Sequence, residues 1–370
     1  MSMRIVMCGG GTGGHVNPAI SIADTIKKRY PDANISFIGT EKGIEHVLVP
    51  KAGYDISFVK VRGFKRSLSL KNFDAAVKAV TSVMRAKKLL KEAKPDLVIG
   101  TGGYVSWPTV KAASKLGIPT LIHEQNAFPG MTTKMLSKFA DKVCISFEES
   151  RKFFDEKIRE KLIFTGNPVK PNDITREQAR KALGLSDDKV YILSFGGSLG
   201  AEKVNEYCYD LMGWVRERPE IFHTHAIGKS GYEKYSAIAA EKGYDKAQNI
   251  EILEYIYDMP LRMAAADILV CRAGAITLAE LACMEKTSIL IPSPNVTDDH
   301  QYKNALVLAN ACAAVVMRES EVTGEKLIAQ VEALAYDKEK REVVQANIRR
   351  FARPDAVNDI ADTALSLIGK

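Results

Sequence analysis

The chain has 370 residues, 46% hydrophobic and 26% charged, with 52 basic against 45 acidic side chains and a net charge of +7. This is an ordinary globular composition, with length for two domains that each bury a core. No run approaches the roughly 18 apolar residues that a bilayer span requires, so any membrane contact is peripheral, and the mild positive balance hints at an anionic partner. The six cysteines, Cys8, Cys144, Cys208, Cys271, Cys283 and Cys312, contain no CxxC pair. They read as reduced, buried thiols of a cytoplasmic protein. His15, His46, His123, His223, His225 and His300 form no metal pattern, so neither a metal nor a cofactor is expected.

Met-Ser-Met-Arg leads straight into a strand-like run, Ile5-Val6-Met7-Cys8, with no secretory leader. Further short apolar runs follow at Ile35–Phe37, Leu97–Ile99, Thr120–Ile122, Val143–Ile145, Val190–Phe195, Ile268–Cys271 and Ser288–Ile291. Amphipathic stretches of helical period lie between them. Such alternation predicts α/β architecture, with parallel sheets covered by helices on both faces. The rhythm pauses at Gly166-Asn167-Pro168-Val169-Lys170-Pro171-Asn172, a composition that predicts a linker. It resumes at Val190, and the stretch from Asp355 to Leu367, after Pro354, reads as an amphipathic helix.

Three glycine-rich turns carry the first chemical signal. Gly11-Thr12-Gly13-Gly14-His15-Val16 is echoed by Gly100-Thr101-Gly102-Gly103-Tyr104-Val105, and Gly196-Gly197-Ser198-Leu199-Gly200 opens the second half. Each follows a strand and precedes a helix, where backbone N–H groups and the helix dipole favour an anion. Gly9, Gly11 and Gly14 also spell the dinucleotide fingerprint. That reading wants an acid about 20 residues on. Glu41 lies 32 residues past Gly9, and His15 stands where pyrophosphate would lie, so a dehydrogenase is disfavoured.

Together with these loops, several blocks resemble the MurG family of cell-wall glycosyltransferases. They are Gly9–Pro18, Gly102–Ser106, His123-Glu124-Gln125-Asn126, Gly166–Val169, Gly196–Ala201, Cys271–Glu280 and Asp299–Ala305. They span almost the whole chain. The resemblance implies a GT-B fold of two facing Rossmann-type domains with a cleft. The first covers 1–166 and binds acceptor and membrane, with a helix at 355–370 returning to it; the second covers 167–354 and binds UDP-N-acetylglucosamine. It implies an inverting transfer of N-acetylglucosamine to undecaprenyl-pyrophosphoryl-MurNAc-pentapeptide (lipid I), giving lipid II for peptidoglycan. It also implies a place on the cytoplasmic face of the bacterial cell membrane, contacts with other cell-wall synthesis proteins, and no nucleic acid.

The residues fit that chemistry. The enzyme must hold a diphosphate, deprotonate an acceptor hydroxyl and align it behind the anomeric carbon. There is no Asp-x-Asp, so the diphosphate charge falls to N–H groups, helix dipoles and Ser198. His15 is the first candidate base and Glu124 its rival. Donor contacts are expected from Thr12, Gly13, Gly14, Asn126, Ser198, the backbone at Ile256, Arg272, Ala275, Thr277, Glu280, Gln301 and Asn304. Glu280 would bridge ribose hydroxyls, with Thr277 one turn earlier, and the amides of Gln301 and Asn304 share a helix face for the sugar. For Arg272, phosphate pairing and a structural salt bridge are both open. Gly102, Gly103, Tyr104 and Lys170 are expected at the acceptor phosphates; Tyr104 replaces His15 in the echo, which suits binding. Three departures from the family pattern stand out: Leu199 in place of a glutamine, Lys170 in place of an arginine, and His300 in place of a second glutamine.

Between Lys60 and Lys91 ten residues are basic and only Asp74 is acidic, with Phe64, Leu68, Leu70, Phe73, Val77, Val80 and Met84 interleaved. Phe73, Val77, Val80 and Met84 follow helical spacing, so the segment suits an anionic membrane surface. The alternatives are a related GT-B glycolipid glycosyltransferase, a UDP-N-acetylglucosamine 2-epimerase and a non-catalytic nucleotide-sugar-binding subunit. The epimerase needs no lipid-facing patch, and the binding subunit needs no acceptor loops.

Overall fold

The computed structural model describes residues 2–60, 71–170 and 172–370, and for 71–80 the backbone alone. The chain forms two compact units, Met1–Lys170 with Arg353–Lys370, and Pro171–Ala352. In chain order the first unit contains β1 (Arg4–Cys8), α1 (Gly13–Arg29), β2 (Asn34–Gly39), α2 (Glu45–Lys51), β3 (Asp55–Phe58), α3 (Lys71–Ala93), β4 (Leu97–Gly100), α4 (Ser106–Lys115), β5 (Thr120–Glu124), α5 (Met131–Leu136), β6 (Lys142–Ile145) and β7 (Leu162–Phe164). The second contains α6 (Arg176–Leu183), β8 (Val190–Phe195), α7 (Glu202–Arg216), β9 (Ile221–Ala226), α8 (Tyr232–Lys242), β10 (Ile250–Leu253), α9 (Met259–Ala265), β11 (Ile268–Cys271), α10 (Ala275–Cys283), β12 (Thr287–Leu290), α11 (His300–Asn310), β13 (Val315–Val316), α12 (Gly324–Ala335) and α13 (Lys338–Arg349). The last helix, α14 (Ala356–Ser366), belongs to the first unit.

The first sheet runs β3-β2-β1-β4-β5-β6-β7 and the second β10-β9-β8-β11-β12-β13, with every pairing parallel. In each sheet the order reverses beside the unit's first strand, between β1 and β4 and between β8 and β11. That is where open α/β sheets bind ligands. Parallel strands need both faces covered, and β1 shows how this is met. Ile5 and Met7 enter a core with Ile22 and Ile26 of α1, whereas Val6 and Cys8 enter another with Ala86 and Leu90 of α3 and Val110 of α4. Val357, Ile360, Ala361, Ala364 and Leu365 of α14 complete the α1 core, and Arg29 pairs with Asp362 and donates to Asn358 at 2.6 Å.

Several expectations change. Gly166 and Asn167, read as linker and domain boundary, are part of the first unit. Asn167 is buried, donating to the Gln125 carbonyl and accepting from Ser146. The strands β3, β7, β9, β10 and β13 were not evident from apolar runs. In β9 the reason is chemical, because His223, Thr224 and His225 are buried in mid-strand. The Ser194 hydroxyl lies 2.7 Å from both His223 Nε2 and His225 Nδ1, and Asn205 of α7 meets His225 Nε2 at 3.1 Å. Polar side chains can occupy a core when they satisfy one another. Among the cysteines, Cys312 is exposed rather than buried. Of the basic segment, 61–70 lies outside the described residues. On α3, Ser82, Ala86 and Leu90 are buried at a four-residue spacing, while Met84 is 60% exposed.

The buried histidines make folding acid-sensitive. Burial lowers His123 to about 4 and His225 to about 3, and holds His223 well below its ordinary value, with His225 beside it adding to the effect. An imidazole whose folded value is depressed contributes stability that is complete above the unfolded value near 6.5 and is lost as pH falls below it. Glu280, raised by burial to about 7, acts in the opposite sense. Between pH 7 and pH 5 His123 and His225 each cost about 2 kcal/mol, the one carboxyl offsets roughly one of these two, and His223 acts in the same sense as the other histidines. The urea midpoint should therefore fall over that interval. A midpoint that holds or rises would show that these imidazoles are not locked neutral.

Candidate functional site

In the first unit the loops after β1 and β4 are built against each other. The Gly10 amide donates to the Gly102 carbonyl at 3.3 Å, Thr101 Oγ1 to the His15 carbonyl at 2.7 Å, and Ser106 Oγ to the Cys8 carbonyl at 3.1 Å. A Cβ at Gly103, where φ is +77°, would lie 2.1 Å from the Gly10 carbonyl oxygen, and one at Gly102 would lie 2.7 Å from His15 Nδ1. Close approach to the Gly10 backbone thus accounts for Gly103, and close approach to the His15 ring for Gly102, both expected at an acceptor phosphate.

Glu45 is the residue that sequence reasoning missed. It is buried at the start of α2, and its carboxylate accepts from the Gly11 amide at 2.9 Å, the Thr40 amide at 3.0 Å and the Thr40 hydroxyl at 2.6 Å. Burial raises this carboxyl, but the hydrogen bonds outweigh it and hold it below the ordinary carboxylate value. The amide that a dinucleotide loop would offer to pyrophosphate is therefore already taken. What remains for an anion is the first turn of α1, with Thr12 as N-cap, Gly13 and Gly14 following and no acidic residue. The signal in sequence was an acid soon after the second strand, at a spacing that fitted no nucleotide motif.

His15 is half-buried, and its Nδ1 lies 3.0 Å from Gln125 Oε1. Glu124 is buried and holds its own loop. Its carboxylate accepts from the Asn126 amide at 3.0 Å, Asn126 Nδ2 at 3.1 Å and the Gly130 amide at 3.0 Å. Asn126 is thereby tied to Glu124. Tyr104 is exposed, and the Lys170 ammonium pairs with Asp24 of α1 at 3.2 Å.

In the second unit the turn after β8 holds Ser198 exposed and Leu199 71% exposed. Gly200 and Gly228 touch through their backbones, since a Cβ on Gly228 would lie 2.2 Å from Gly200 Cα. The turn after β11 leads into α10 with Gly274 as N-cap, then Ala275, Ile276 and Thr277, with no acid in the first turn. That suits an anion better than α7, whose first turn carries Glu202. Glu280 lies one turn beyond Thr277, and desolvation alone raises its carboxyl to about 7. Ile256 is buried just after β10. Asp298 and Asp299 take left-handed φ values of 54° and 53° ahead of α11, a strained entry for non-glycine residues. On α11, Gln301 accepts from the Ser293 amide at 2.8 Å, and Asn304 is buried. Arg272 pairs with Glu319 at 2.5 Å and donates to the Ile291 carbonyl at 3.0 Å.

Residues 5–145 match the glycosyltransferase family 28 N-terminal domain, and residues 191–360 match the glycosyltransferase family 28 C-terminal domain. A UDP-N-acetylglucosamine–N-acetylmuramyl-(pentapeptide) pyrophosphoryl-undecaprenol N-acetylglucosamine transferase of Acetivibrio thermocellus is 45% identical over 97% of this chain and 96% of its own length. The protein of the same name from Bacillus licheniformis is 41% identical over 96% of each chain. The crystal structure of Acinetobacter baumannii MurG superposes with a TM-score of 0.79 at 30% identity, covering 98% of this chain and 99% of that one. A putative UDP-N-acetylglucosamine 2-epimerase from Listeria monocytogenes, at 13% identity and a TM-score of 0.69 over 99% of this chain and 96% of its own, shares the fold alone. With the GT-B fold of the MurG structure and both family domains in order, the chain belongs to glycosyltransferase family 28.

Proposed function

We infer that this chain transfers N-acetylglucosamine from UDP-N-acetylglucosamine to lipid I, forming lipid II. The observation that carries this reading is identity of 40–45% along nearly the whole chain to transferases named for that reaction. In the step itself the acceptor hydroxyl oxygen bonds to the anomeric carbon, the bond from that carbon to the UDP oxygen breaks, and UDP leaves with the electron pair. The hydroxyl proton goes to His15. Glu124 is the weaker candidate, because both its oxygens already accept hydrogen bonds that close the 126–130 loop. The α10 N-terminus and Ser198 take the donor diphosphate, Glu280 takes the ribose, Ile256 meets the base, and Gln301 with Asn304 takes the sugar. Thr12, Gly13, Gly14 and Asn126 remain assigned to the donor; Gly102, Gly103, Tyr104 and Lys170 remain assigned to the acceptor side. Incubating labelled UDP-N-acetylglucosamine with a soluble lipid I analogue should yield labelled disaccharide. Its absence with a folded protein would defeat the reading.

Glu280 supplies a sharper test. Its carboxyl makes no hydrogen bond among the described residues and is raised to about 7, so only the ionised form offers full acceptor strength to two ribose hydroxyls. UDP affinity should rise with pH through about 7. Glu280→Gln should flatten that dependence, and Glu280→Ala should cost about 1.5–3 kcal/mol of binding. Calorimetric affinity that is unchanged in both variants would remove Glu280 from the donor site.

No helix among the described residues is long and apolar enough to cross a membrane. We place the enzyme peripherally on the cytoplasmic face, through the basic segment that precedes and opens α3. Exposed Met84, the last of the row Phe73, Val77, Val80 and Met84, supports an apolar edge there. Replacing Lys65, Arg66 and Lys71 with glutamate should weaken binding to anionic vesicles, each charge contributing about 1 kcal/mol, while sparing turnover of a short-chain soluble acceptor. Equal vesicle binding by mutant and parent would leave these basic residues as ordinary solvated charges.

A further inference from the structure

We propose that Gln125 is a positioning residue for the proton transfer: its side-chain amide fixes His15 as the Nδ1–H tautomer and so presents an unprotonated Nε2 to the acceptor hydroxyl. The inference rests on the reading of His15 as the base.

The hydrogen-bond graph around Gln125 has one consistent solution. The side chain is buried, with Nε2 2.8 Å from the Thr101 carbonyl and 3.2 Å from the His123 carbonyl. Carbonyl oxygens only accept, so the amide nitrogen must face them. The amide oxygen is then the atom 3.0 Å from His15 Nδ1. It too only accepts, so Nδ1 carries the hydrogen. A neutral imidazole has one N–H, which leaves the Nε2 lone pair bare, and no described group is hydrogen-bonded to Nε2.

The same logic runs inward. Gln125 Nε2 lies 2.9 Å from His123 Nδ1, which therefore accepts, and His123 Nε2–H donates to the Gly166 carbonyl at 3.0 Å. Ser146, 3.1 Å from that nitrogen, donates onward to Asn167 Oδ1 at 2.9 Å or the Glu124 carbonyl at 2.8 Å. Asn167 Nδ2 closes the circuit on the Gln125 carbonyl at 3.1 Å. Every member but His15 is buried. Gly102 leaves the space beside Nδ1 that a side chain would fill.

An orienting partner on the far nitrogen is how a catalytic histidine's tautomer is set. Here the partner is an amide, which supplies the acceptor oxygen without a full negative charge. The titratable groups on the elements that meet His15 are His123 and Glu124 of β5, Glu45 of α2 and Tyr104 beside Gly103. None is hydrogen-bonded to the His15 ring.

The test uses the full chain labelled with ¹⁵N-histidine. Two-bond ¹H–¹⁵N spectra report which ring nitrogen bears the proton, and the His15 signal is the one absent from His15→Asn. The expected result is a protonated Nδ1 and a bare Nε2 in the parent. In Gln125→Leu the Nδ1–H preference should be lost and kcat should fall about 10–100-fold, with KM for the donor within about twofold. Gln125→Glu should restore Nδ1–H and recover part of kcat, because a carboxyl protonated where it faces the Thr101 and His123 carbonyls still offers its other oxygen to Nδ1–H. A parent His15 protonated on Nε2 overturns the proposal without any assay of transfer. A Gln125→Leu enzyme with parent kcat and pH profile overturns it as well. Parent turnover in His15→Asn overturns the base reading instead, and the tautomer spectrum separates that failure from the first.

Discussion

The contact between the turns after β1 and β4 is the constraint from which the first unit's chemistry follows. Gly103 sits so close to the Gly10 carbonyl that a Cβ would lie 2.1 Å from its oxygen. No side chain fits such a distance without backbone movement. Because the two turns touch directly, Thr101 reaches the His15 carbonyl and Gly102 lies against the imidazole. The ring meets Gln125, the residue that follows β5. Two loops that resemble a pair of phosphate cradles behave as one device, in which the second turn supports the first.

Much of this architecture was legible in the sequence. Buried parallel strands announce themselves as apolar runs between helical patterns, and β4, β5, β6, β8 and β11 lie where such runs occur. The strand β9 escaped because His223 and His225 interrupt its apolar run, and a buried polar network has no sequence period. Glycine turns were legible as turns, but spacing alone does not say whether a glycine admits a ligand or a neighbouring backbone. Glu45 and Gln125 lay beyond reach for a related reason. Their roles depend on partners far along the chain, Gly11 for one and Thr101 and His15 for the other. The Glu319 partner of Arg272, at 2.5 Å, was likewise out of reach of sequence spacing.

The two units share one strand order, yet their carboxylates have opposite fates, and this difference distinguishes their chemistry. Glu45 is surrounded by donors from its own chain, so its charge is satisfied in the free protein and its work is done on the Gly11 turn. Glu280 is desolvated without such donors and pushed up to about 7. A ligand with adjacent hydroxyls would supply the donors that its own chain does not. Filling the Gly11 turn from within leaves the first unit a helix N-terminus and an oriented imidazole, groups suited to an anion and a proton. Leaving Glu280 without partners gives the second unit an acceptor suited to a ribose. The same fold serves both because strand order fixes only where a turn lies, while the nearest unspent donor or acceptor decides what that turn can hold.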